Sequence, residues 1–118
     1  MSKLEPRIHK LLGDIHKSSK RIVERLQGET LESFTSEANM DVQDIVARRL
    51  IIIGEASAAI LKKHPQFQEE NPQIPLRQAR GLRNILVHEY EDIDWQAVWY
   101  DCQRELPQLI QSLSPFLE

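Results

Sequence analysis

The chain has 118 residues, 41% hydrophobic and 28% charged, with a formal net charge of −3. Size and composition are those of one globular domain spanning 1–118. The mild negative charge excludes a protein that coats nucleic acid through bulk positive potential.

Only 4 Gly and 6 Pro leave little material for a turn-rich β fold. The single cysteine, Cys102, excludes an internal disulfide framework and fits a reducing compartment. No apolar run approaches the roughly 20 residues of a membrane span. The Met1-Ser2-Lys3 start leads into no signal-peptide core, so the expected location is the cytoplasm, with no membrane partner.

A first helix is predicted from near Pro6 to Gly28, because proline suits an opening helical position and glycine a C-terminal stop. Leu4, Ile8, Leu11, Ile15, Ile22 and Leu26 follow three-four spacing, with Ser18 or Ser19 at the missing step. Lys10, Lys17, Arg21 and Arg25 mark the wet side. His9 and His16 have no Cys or carboxylate at ligand spacing, which argues against a metal there. From Gly28 to about Asn39 a polar connection, expected to hold a short helical turn, carries one large apolar residue, Phe34, and candidate caps at Thr30, Ser33, Ser36 and Asn39.

A second long helix is predicted from about Asp41 to Lys63. Its middle, Leu50 to Leu61, is apolar on nearly every side, so it requires cover all round. A second copy of the chain is the expected supplier of part of that cover, and Gly54, Ala56, Ser57, Ala58 and Ala59 would permit close approach. A central helix in a monomer is the alternative. Glu55 lies in this apolar middle and needs a partner or a solvent cleft, and Arg83 is the partner to expect.

Residues 62–75 contain Pro65, Pro72 and Pro75 and read as a loop without regular structure. Leu76 opens a third helix through Leu82 and Leu86. Asp94 caps a fourth, which runs along Trp95, Val98, Trp99, Cys102, Leu106, Leu109, Ile110, Leu113 and Phe116 and should kink at Pro107. The expected fold is an all-α, up-down bundle of four to five helices.

The window Arg83-Asn84-Ile85-Leu86-Val87-His88-Glu89-Tyr90 concentrates polar chemistry among apolar residues. A guanidinium holds phosphate, and histidine is the side chain best suited to moving a proton near neutral pH. On an unbroken helix Arg83 and His88 point about 140° apart. They can converge if the helix ends between them, as the polar run Glu89–Asp94 suggests, or if a second copy completes the site. Arg77, Arg80 and Arg83 drift by about 60° per step and form a basic stripe leading toward the histidine. A set of unrelated structural roles for these residues is equally compatible with periodicity alone.

Other routes to catalysis are poor. Cys102 sits on an apolar face without a base, and Ser57 lacks a Gly-x-Ser-x-Gly setting. There is no Gly-rich phosphate loop, and Glu91, Asp92 and Asp94 make a weak cation site without a histidine.

The same window has the R-N-x3-H-x-Y form of the R-x4–6-H signature and resembles the HEPN domains, more narrowly the HepT toxins of HEPN/MNT toxin–antitoxin systems. The resemblance extends along the chain. Arg49 to Ala56 is similar to the family's long second helix, Pro72 to Leu82 to the approach to the motif, and Asp94, Trp99 and Glu105 to Ile110 to the closing helix. Leu76 follows Pro75 where the family often has Trp.

The resemblance implies an all-α homodimer, joined through the long second helix and the motif region, and a metal-independent endoribonuclease with no cofactor. By position, Arg83 and His88 match the catalytic pair, Asn84 the supporting polar residue, and Tyr90 the tyrosine that a partner MNT-type nucleotidyltransferase antitoxin modifies with AMP. Glu55 is carried as a further supporting residue, and Arg77 and Arg80 as contacts to the RNA phosphates. The competing expectations are a non-catalytic helical subunit that binds nucleotide or substrate for a nucleotidyltransferase, and a plain dimeric interaction module.

Overall fold

The computed structural model describes residues 4–117, so the Met1-Ser2-Lys3 start lies outside the described residues. Among these the chain forms six α-helices and no strand: α1 (Pro6–Leu26), α2 (Leu31–Thr35), α3 (Met40–Lys63), α4 (Pro65–Glu70), α5 (Leu76–His88) and α6 (Trp95–Leu117). Short 3-10 turns at Glu37–Asn39 and Tyr90–Asp92 precede α3 and α6. The all-α expectation holds, and the four long helices are those foreseen from the sequence.

The α1 stripe is buried as its spacing predicts, and both Ser18 and Ser19 take apolar positions within it. Pro6 opens the helix, and Gly28 turns the chain with φ 85°, a conformation that glycine adopts without a Cβ penalty. Thr30 caps α2 through Ser33 in a reciprocal capping box. That cap points fully buried Phe34 into the bundle, where it packs on Trp95 and Trp99. Buried Gln43 donates to Phe34 O at 2.8 Å and fixes α2 on the start of α3.

Two expectations are corrected here. The 62–75 segment is not irregular throughout. Pro65 occupies the first turn of α4, where its missing N–H costs nothing, and Phe67 is buried against Phe116. Buried Gln68 then donates to Asn71 O and Ile74 O, closing the loop into α5. This α4 is the sixth helix, one beyond the expected four to five, while α2 is the short helical turn expected between Gly28 and Asn39. Asp94 caps α6 as expected, accepting from Ala97 N at 3.1 Å, and the helix continues through Pro107 and Pro115.

In space the long helices are ordered α5, α3, α1, α6, with α3 packed between α1 and α5. Most of the apolar circumference of α3 is thus covered within one chain. What stays open is a strip holding Ile45, 44% exposed, and the exposed Glu55, with half-buried Ile52 between them. The expected close approach at Gly54 is made by α5 of the same chain. Between α5 and α6 lies a groove of about 280 Å3, floored by Leu50 and Ile53 of α3.

Candidate functional site

α5 lies on α3 through its apolar edge, with Leu76 and Leu86 buried. Arg83 falls on the same side. A Cβ at position 54 would overlap Arg83 Cβ and come within 2.7 Å of Ala79 O, so only glycine lets α5 settle this close. The stem of Arg83 is therefore clamped against the α3 backbone. Its Nε is buried without a hydrogen-bond partner, and among the described residues the guanidinium has no carboxylate within ion-pair distance. An unsatisfied, partly desolvated guanidinium is strongly attractive to an oxyanion.

The expected Glu55–Arg83 pair does not form. Glu55 follows Gly54 by one residue, and a helix turns about 100° per residue. When Gly54 faces α5, Glu55 is rotated out onto the exposed strip. The solvent-facing reading of Glu55 is the one that holds.

His88 is the last residue of α5 and is exposed. The helix ends after the histidine, not between it and Arg83, which corrects one of the two routes to convergence. With the helix intact, the two residues diverge by about 140° within one chain. The groove between α5 and α6 takes in neither of them. Arg80 and Asn84 are exposed on the outer face of α5. Arg77 instead borders a separate hollow with Gln68, Glu69 and Pro72 near the start of the helix.

Tyr90 opens the 3-10 turn beyond α5 and is held by side-chain partners. Its hydroxyl donates to Asp44 Oδ1 on α3, and its ring meets Trp95 edge-on at 5.8 Å. Trp95 in turn packs on Phe34 at 5.9 Å, so the tyrosine is the outer end of an aromatic chain rooted in the core. Burial and the neighbouring Asp44 carboxylate together push the phenol up to about 12 from its usual 10.0. The contacts Arg83–Gly54 and Tyr90–Asp44 also make α3 and α5 antiparallel, with both groups on the α3 side of α5.

Asp44 and Trp95 are the site residues that sequence reasoning missed. Asp44 lies 46 positions from Tyr90, and no local spacing signals that contact. Trp95 was legible only as a member of the α6 stripe. Cys102 is buried, and burial pushes its thiol up to about 12, which suits a core residue and not a nucleophile. Among the described residues no three His, Cys, Asp or Glu side chains gather into a metal-binding cluster. No helix there is long and apolar enough to cross a membrane.

Residues 15–115 match the family described as "Ribonuclease HepT-like". The chain is 34% identical over 98 residues to "Putative RNase MJ1380" of Methanocaldococcus jannaschii, covering 83% of this chain and 85% of that one. It is 33% identical over 88 residues to "Probable ribonuclease HepT" of Thermococcus cleftensis, covering 69% and 77% respectively. A third relative is "Putative RNase TTE0752" of Caldanaerobacter subterraneus, 28% identical over 97 residues and 82% of each chain. No solved structure matches the chain.

Proposed function

We propose, from the premise that this chain belongs to the HepT-like ribonuclease family, that it is a toxin endoribonuclease cutting RNA with Arg83 and His88 and needing no metal. The observation that carries this reading is the state of Arg83: clamped at its stem, buried at Nε and without an internal acceptor. A phosphodiester supplies the missing anion.

RNA brings its own nucleophile, the 2′-hydroxyl. Cleavage then needs a proton acceptor, a proton donor and relief of charge on the phosphorus. His88, exposed at the helix end, serves as general base or acid, an effect typically worth about 10²–10⁴-fold. Arg83 binds the phosphate and the charge that grows on it. The products are a 2′,3′-cyclic phosphate and a 5′-hydroxyl.

Because the two residues diverge on one unbroken helix, the working site takes a second copy of the chain. Two-fold symmetry sets one copy's arginine and histidine beside the other's. The open strip of α3 with Ile45, together with Val87 at 50% exposure on α5, is apolar surface suited to that contact. Arg80 and Asn84 then line the approach of the RNA.

Control is exerted at Tyr90 by an MNT-type nucleotidyltransferase antitoxin, which attaches AMP. The added anion and bulk repel and block RNA where it must enter. Purified protein incubated with RNA in EDTA tests the cleavage. Cutting is expected from the wild type, with loss of about 10²-fold or more in Arg83→Ala and His88→Ala. Unchanged cutting in either variant would discard the assignment. Tyr90→Phe, treated with the cognate nucleotidyltransferase and ATP, is expected to stay unmodified and uninhibited.

A further inference from the structure

The chain has two tyrosines, Tyr90 and Tyr100, similarly accessible at 40% and 49%. They differ in what the hydroxyl meets. Among the described residues, the tyrosine hydroxyl bonded to a carboxylate is that of Tyr90, which donates to Asp44. The Tyr90 ring is also held edge-on by Trp95, so the direction of its oxygen is set on two sides.

We propose that Asp44 is the proton acceptor that makes Tyr90, and not Tyr100, the nucleophile of this chain toward phosphorus electrophiles, first among them the α-phosphate of a nucleoside triphosphate. The inference rests on the reading of Tyr90 as the point of control, and adds that the acceptor residue carries its own base.

In the step, the Oη–P bond forms as the bond from the α-phosphorus to the pyrophosphate oxygen breaks. The phenol proton passes to Asp44, and pyrophosphate leaves. With the phenol's ionisation held up to about 12, almost no phenolate exists near neutral pH. The proton must therefore leave while the new bond forms, and a base already on the hydroxyl is what that requires.

The charged surroundings are mixed. On α3, Asp41 and Arg48 lie one turn to either side of Asp44. Around Tyr90 itself are His88, Glu89, Glu91 and Asp92, with Asp94 ahead of α6. No cation is bonded to Asp44 among the described residues, and Oδ1, which already accepts from the hydroxyl, is the oxygen placed to take the proton.

The test uses the full chain and diisopropyl fluorophosphate, a phosphorus electrophile that needs no partner enzyme. Here the P–F bond breaks and fluoride leaves. Labelled tyrosines are read by peptide mass mapping between pH 6 and 9. An unassisted phenol reacts through its phenolate, so its rate rises about tenfold per pH unit. Tyr100 is expected to follow that slope. Tyr90 is expected to label about 100-fold faster than Tyr100 at pH 7, with a much flatter profile.

Asp44→Asn keeps an oxygen that accepts the hydrogen bond but not the proton. It is expected to bring Tyr90 down about 100-fold and onto the steep slope. Equal labelling of the two tyrosines in the wild type, or an Asp44→Asn variant that labels like the wild type, overturns the proposal. Should that variant fail to fold, the wild-type profiles of the two tyrosines decide alone. Asp44-dependent labelling without any AMP transfer by the nucleotidyltransferase would uphold the activated phenol and refute its use for control.

Discussion

Arg83 and Tyr90 stand on the same side of one helix and its following turn, and they are held by different physics. At Arg83 the constraint is backbone proximity: a glycine in α3 admits α5, and the arginine stem lies in the space a Cβ would fill. At Tyr90 the constraint is made of side chains, a carboxylate on the hydroxyl and an aromatic chain behind the ring. The first arrangement is rigid and leaves the guanidinium's anion to be supplied from outside. The second can be undone by changing one hydroxyl. A group that must stabilise charge in a transition state gains from the former, and a group that must be switched gains from the latter.

The comparison can be broken first at the root of the aromatic chain. Phe34→Ala removes a fully buried ring beneath Trp95 and is expected to cost about 3–5 kcal/mol in urea unfolding. Tyr90 should lose its fixed orientation well before Arg83 does. Gly54→Ala attacks the other anchor. The new methyl meets the Ala79 backbone as well as the Arg83 stem, so yielding by one flexible side chain cannot relieve it. The expected loss is about 1–3 kcal/mol, with cleavage falling while Tyr90 stays on Asp44.

Tyr90→Phe is smaller, under about 1 kcal/mol, since the group is 40% exposed and its bond is screened. Its signature is in pH. The folded phenol ionises near 12 and the unfolded one near 10.0, so the wild type holds this contribution below pH 10. It loses the contribution as pH rises from 10 through about 12, because the unfolded chain then gives up a proton that the folded chain keeps. The variant should lack that alkaline slope. Glu55→Gln sharpens the contrast from the other side. An exposed carboxylate without a pairing to Arg83 should change stability by less than about 0.5 kcal/mol.

Much of this was legible in the chain. The α1 stripe, including its serine step, the Asp94 cap and the bounds of α3 follow from spacing and capping chemistry that act within a few residues. The motif stood out because Arg83, Asn84, His88 and Tyr90 crowd one apolar window. What was not legible depended on neighbours far along the chain. Pro65 reads as a breaker until it is placed in a first turn, with Phe67 finding Phe116. Glu55 looked like Arg83's partner because it is the charge in an apolar run, yet one residue of rotation gives that place to Gly54. Asp44 carries no periodic signal toward Tyr90, and only the packing of α5 on α3 joins them.

The contact between Tyr90 and Trp95 also equips the protein with an optical gauge. An indole 5.8 Å from the phenol accepts its excitation and feels whatever is attached to it, so Trp95 emission should report the state of Tyr90 without an added dye. The chain has two tryptophans, and Trp99 is buried against Phe34 one turn further along α6. Replacing Trp99 by Phe would leave one lamp beside Tyr90.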